Sequence, residues 1–183
     1  MSRPAVDLSI AVAGALLLGG LSAVGDWIWW RFIPDGAVVP GILHGLIVFF
    51  VIACVLAWAA RRSGHARGGQ RLLWQLPVAG ALLAASFYPL FFVLGYLGAL
   101  LATWVGMWWA IAALQRRARG SAESWGRVAA RASIAAVASG LAFWAISGLW
   151  TNPSPGGPDL PVHVASWSFA FLPGFVAMLL AQR

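Results

Sequence analysis

The chain has 183 residues, of which 61% are hydrophobic and only 9% charged, with a mean hydropathy of +0.83. A soluble domain carries about 25% charged residues, so this composition excludes a soluble globular fold and points to one compact integral membrane unit. The net charge of +7 comes from 12 arginines with no lysine; in so apolar a chain it reports topology rather than nucleic-acid binding.

Charges punctuate the sequence, and the apolar runs between them predict the elements. A membrane-spanning helix needs about 20 mostly apolar residues. Span one is expected at about 8–25 and span two at about 40–60. The start of span one has the look of a signal peptide, but the Trp27-Ile28-Trp29-Trp30 cluster is a poor cleavage region, so it is read as retained. A basic loop follows span two, and residues 72–114 then carry no charge. As one helix that stretch would reach about 65 Å, twice the hydrocarbon core, so it must fold back. Pro89, beside Ser86 and Tyr88, is the expected turn because proline disfavours helix before it and cannot donate a backbone hydrogen bond. Spans three and four are therefore placed at 72–88 and 91–114. A second basic loop leads to span five at about 132–150, a Pro- and Gly-rich loop follows, and span six is placed at about 163–181. The fold class is all-α, a single domain of six transmembrane helices.

Arginine placement orients the bundle. With the N-terminus in the cytoplasm, eleven arginines fall on the inner side and only Arg31 on the outer side. This is a strong positive-inside pattern. It requires an even number of spans and puts both termini in the cytoplasm. Most of the 12 tryptophans then fall at span ends, where interface anchoring is their default role. Trp104 and Trp144 are expected deeper, within reach of the core or a ligand.

Polar groups inside spans mark chemistry in membrane proteins, and here they are few. Asp7 and Asp26 sit at the ends of span one, and His44 lies one turn inside span two. The rest are hydroxyls. No central acid or base supports a proton-coupled pump, and no carboxylate set could hold catalytic metal ions. Cys54 is the only cysteine, which excludes an internal disulfide, a CxxC redox pair and a multi-cysteine metal centre. Ser166, His163 and Asp159 make a chance triad with no nucleophile elbow. No enzymatic activity and no cofactor are expected.

Small residues are plentiful by contrast. Gly95, Ala99, Ala102 and Gly106 fall at i, i+4, i+7 and i+11, one face of span four, and let another backbone approach closely. Gly41 and Gly45 form a GxxxG pair at the start of span two. Each reads as intrachain packing or as an oligomer surface.

Four motifs in order carry a family resemblance. They are Val39-Pro40 opening span two, Gly106-Met107-Trp108-Trp109 before a basic loop, Gly148-Leu149-Trp150-Thr151-Asn152-Pro153-Ser154-Pro155 closing span five, and Ser166-Trp167 in span six. Their order and spacing over nearly the whole chain resemble the Insig family, sterol-sensing membrane proteins of the animal endoplasmic reticulum with bacterial relatives. The resemblance implies six helices around a central lipid or sterol cavity, with spans three and four serving protein contacts. Ala112 and Ala113 stand where the family carries the aspartate used for its animal partner. Gly95 and Ala99 stand where it carries the Gln and Thr that support sterol recognition.

Together these readings predict a non-catalytic, Insig-like protein that holds a neutral lipid, diacylglycerol-like, isoprenoid or sterol-like. Ser22, Asp26, His44 and Ser139 are the candidate headgroup contacts, chosen because they are polar and membrane-embedded or at its boundary. Gly95, Ala99, Ala102 and Gly106 are the candidate oligomer contacts, a trimer being one such assembly. Arginine without lysine, with abundant Ala, Gly and Trp, suggests a GC-rich bacterial gene and so a bacterial inner membrane. A small oligomeric transporter or channel is the alternative; a five-span tetrapyrrole- or sterol-binding sensor and a lipid-modifying membrane enzyme are more distant ones.

Overall fold

The computed structural model describes residues 3–32, 38–147 and 160–180. These residues form an all-helical bundle with six helices long and apolar enough to cross a membrane. Span one is Asp7–Ile28, span two Val38–Arg62, span three Ala66–Gly95, span four Leu97–Arg119, span five Trp125–Ile146 and span six Leu160–Leu179. Each is built on an apolar run, with its charged residues confined toward the ends of the helix. The predicted end of span five and the Gly148–Pro155 motif lie outside the described residues.

The reversal between spans three and four falls at Gly95, not Pro89. Pro77 and Pro89 both lie inside the helix. A membrane helix accommodates a proline through local adjustment, whereas a sharp reversal needs a residue that can leave helical space altogether. Gly95 has φ 70° and ψ 175°, a region that only glycine enters without strain. Span three thus ends at Gly95, about two turns beyond the end that the proline suggested.

The core is built by pairwise close approach. Span one lies on span six, where Gly19 faces Ser168 so tightly that a Cβ would not fit. Span two lies on span three, where a Cβ on Gly45 would stand 2.7 Å from the Gly80 carbonyl oxygen. Such contacts let van der Waals packing replace a hydrophobic effect that lipid does not supply. Span five packs on span six and on span four, and the Trp104 indole donates to the Ala136 carbonyl at 3.2 Å. Span three is peripheral. Only 6% of its apolar window is buried, against 44% for spans one and six, and Leu82, Phe92 and Val93 face outward.

The two basic loops share one end of the bundle. The backbone at Gly68, after the first loop, abuts the Ala118 carbonyl just before the second. Cations at this end lie over indoles, with the Arg62 guanidinium 4.7 Å from the Trp58 ring centre and that of Arg116 4.4 Å from Trp125. The opposite end carries Asp26, His44 and Trp167.

The tryptophans divide differently from expectation. Trp58, Trp74, Trp109 and Trp125 face outward at the basic end, as interface anchors should. Trp108 does not: it is 1% exposed and its ring packs directly on Gly174. Trp144, expected deep, is 57% exposed. Trp104 does lie inside, and Trp167, expected at an interface, joins it.

Candidate functional site

Five of the six spans converge on one cleft of about 150 Å³. Spans four and six supply an aromatic wall. Trp104 and Trp108 are one helical turn apart, as are Trp167 and Phe171, so each pair shares a face. The Trp104 ring meets Trp108 edge-on at 6.3 Å and lies 6.0 Å from Trp167, which stacks on Phe171 at 5.9 Å. Phe143 of span five closes on Trp167 from behind at 4.3 Å. Opposite this wall, the Gly45–Gly80 contact brings spans two and three together, and Phe49, Leu83 and Ala84 continue the apolar lining.

The polar atoms of this cleft fall into two groups. Most are already satisfied. Thr103 Oγ1 donates to its own helix, at 2.9 Å from the Ala99 carbonyl and 3.0 Å from that of Leu100. The Trp104 indole is held by Ala136. Trp167 Nε1 donates to Asp26 Oδ2 at 2.6 Å, a bond that fixes the ring across spans one and six. Two groups remain. Ser22 and His44 line the cleft, and neither makes a hydrogen bond to any other described residue. His44 is seated by Gly25, where a Cβ would stand 2.6 Å from the imidazole Cε1. His44 and His163 both lie within electrostatic reach of Asp26.

Of the four residues predicted to contact a headgroup, the structure brings three together. Ser22 and His44 border the cleft directly, and Asp26 stands behind its wall, positioning Trp167. Ser139 belongs elsewhere. It is fully buried on span five, outside the cleft lining, with no partner for its hydroxyl among the described residues. The aromatic wall was missed, although the four-residue spacing of Trp104 with Trp108 and of Trp167 with Phe171 was a readable signal.

The predicted small-residue ridge does not form one outward face. Gly95 is the reversal itself and is not helical. Ala99 is fully buried, and a Cβ on Gly106 would stand 2.9 Å from Leu83 Cδ2 of span three. Ala102 is half-buried. Ala99 and Gly106 therefore serve packing within the chain, and the outward face of span four is Leu97, Leu101 and Val105.

The chance triad is not a catalytic arrangement either. Ser166 Oγ donates to the Val162 carbonyl of its own helix at 2.7 Å and is buried; Asp159 lies outside the described residues. No group of three or more His, Cys, Asp or Glu side chains able to hold a metal ion occurs among the described residues. Comparison with protein-family models, with curated proteins and with solved structures finds no match to this chain.

Proposed function

We propose that the protein is a non-catalytic, Insig-like lipid holder of a bacterial inner membrane, with its arginine-rich end in the cytoplasm. The cleft takes the uncharged, hydroxyl- or carbonyl-bearing end of a neutral lipid, with a diacylglycerol-like or isoprenoid lipid the best fit. One observation carries the reading: an otherwise apolar cleft presents two polar groups, Ser22 and His44, neither of which is hydrogen-bonded to another described residue. A ligand with a matching donor and acceptor would gain those hydrogen bonds in an apolar setting. No Arg among the described residues lines the cleft, which favours an uncharged ligand end over a phosphodiester in need of a counter-charge.

The size of the space refines the reading. About 150 Å³ accommodates a benzene-sized group, well short of the ~300–1,000 Å³ of pockets that enclose a drug-sized ligand. The lipid is therefore held by its polar end and first carbons, and its tails run outward between helices. The resemblance to the Insig family supports the same class of ligand. Spans three and four present the protein-contact surface, through Leu82, Phe92 and Val93 together with Leu97, Leu101 and Val105, and a second copy of the chain is the proposed partner.

Native mass spectrometry of the purified protein tests the lipid reading. A neutral lipid should copurify or load at one per chain, and His44→Ala should weaken it about tenfold, the effect of losing one hydrogen bond of ~1.4 kcal/mol. Failure to load any neutral lipid, or indifference to His44→Ala, would remove the proposal.

A further inference from the structure

The cleft offers ring surface as well as hydrogen bonds. Trp104 of span four and Trp167 and Phe171 of span six all line it. The Trp104 ring centre lies 6.0 Å from that of Trp167 and 5.9 Å from that of Phe171, and those two stack at 5.9 Å. Both indoles are tied by their N–H groups, Trp104 to the Ala136 carbonyl and Trp167 to Asp26. An indole has one donor and no other polar atom to offer. What these two rings add to the cleft is therefore apolar π surface, held in position. A fourth ring, Phe49 of span two, lines the same cleft and is seated against Gly80 of span three.

The two polar groups enter from neighbouring positions. Gly25, whose backbone seats the His44 imidazole, lies three residues after Ser22, so Ser22 and Gly25 share a face of span one. A serine hydroxyl and a neutral imidazole can each donate one hydrogen bond. No Arg, Asp or Glu among the described residues lines the cleft. The space of about 150 Å³ holds one benzene-sized ring. A glycerol ester would set flexible saturated carbons against the rings. A flat conjugated ring stacks on them, and stacking contributes beyond the area it buries. Carbonyl oxygens on such a ring accept hydrogen bonds and carry no charge.

We infer that the ligand of this cleft is the ring of a prenylated quinone, with Trp104 and Trp167 as its stacking surface and Ser22 and His44 as donors to a ring carbonyl. The inference rests on the neutral-lipid reading of the cleft and names the class of lipid. The ring fills the cleft, and the isoprenoid tail runs outward between helices.

The full chain in neutral detergent tests this by native mass spectrometry, counting noncovalent adducts. The probes are a short-tailed benzoquinone, its saturated cyclohexanedione counterpart with the same tail, and a short-chain diacylglycerol. The dione keeps both carbonyls and removes only the flat conjugated ring. The benzoquinone should load at one per chain and exceed the dione about fivefold, the scale of an aromatic stacking contact. Trp104→Leu should abolish that preference while diacylglycerol uptake persists, and Trp104→Phe, which keeps a ring, should restore most of it. The wild-type comparison of the two ring probes is decisive even where Trp104→Leu does not fold. Equal loading of benzoquinone and dione would overturn the inference, as would a benzoquinone preference that folded Trp104→Leu retains in full. Diacylglycerol loading at or above that of the benzoquinone would overturn it and leave the neutral-lipid reading standing. Failure of all three probes to load would remove both.

Discussion

The two ends of the bundle solve the same problem in opposite ways. At the cleft end, polar side chains are few and mostly satisfied inside the protein: Trp167 on Asp26, Trp104 on Ala136, Thr103 on its own helix. What remains is Ser22 and His44, whose demand is for hydrogen bonds rather than charge. At the arginine-rich end, the charged groups are tied to one another: Arg131 pairs with the Glu123 carboxylate, Arg116 donates to the Glu123 backbone carbonyl, and Arg119 lies within electrostatic reach of both Arg131 and Glu123. The difference shows how a chain with 9% charged residues separates its polar chemistry, placing neutral hydrogen-bonding groups at one end and paired charges at the other.

The largest expected effect comes from a change that strikes the shared core. Gly174→Leu drives a side chain into the space held by the Trp108 ring, and overpacking of this kind costs about 1–3 kcal/mol or more. Melting in detergent should drop sharply, and neutral-lipid loading should fall with it. Unchanged melting would mean that Trp108 is not the support it is taken to be.

A narrower change addresses the cleft end alone. Gly25→Val pushes on the His44 imidazole and should cut neutral-lipid loading about tenfold. Unchanged loading in native mass spectra would mean that the imidazole does not contact the lipid. Asp26→Ala leaves the Trp167 N–H buried without its acceptor, at a cost of about 1–3 kcal/mol. Asp26→Asn retains an acceptor and should recover most of that stability in a thermal melt. Equal losses for the two variants would assign Asp26 a role through its charge instead of through the indole.

The smallest effect distinguishes two buried serines. Ser139 has no partner among the described residues and does not border the cleft, so Ser139→Ala should be neutral or stabilising by up to about 1 kcal/mol, with lipid loading unchanged. Ser22→Ala should leave melting unchanged and reduce loading. Reversal of that pattern in paired melting and loading measurements would move the headgroup site to span five.

Much of this was legible in the sequence, for identifiable reasons. The six spans follow from arginines that interrupt apolar runs, since a charge is expensive in hydrocarbon and a span has a fixed minimum length. The reversal between spans three and four was legible as a necessity but not as a position. Pro89 carries the louder signal, yet only Gly95 can adopt the required φ and ψ. Ser22, Asp26 and His44 were legible because polar residues are rare in these spans. Ser139 shows the limit of that argument, because rarity does not say which way a hydroxyl faces. The tryptophans show another limit: Trp108 and Trp109 are adjacent in sequence, but one is buried and the other is 43% exposed. Helical phase decides between them, and composition does not carry phase.

The small residues show why a contact motif cannot be assigned to a partner from spacing alone. Gly45 and Gly106 are used inside the chain, against Gly80 and Leu83. The proposed self-association would then use the large outward side chains of spans three and four.

The central claim, that the cleft holds the polar end of a neutral lipid through Ser22 and His44, is tested most directly by native mass spectrometry of wild type and His44→Ala side by side. One neutral lipid per wild-type chain, depleted about tenfold in the variant, is the predicted result. A wild-type protein that carries and accepts no neutral lipid, or a variant that retains it in full, would contradict the account.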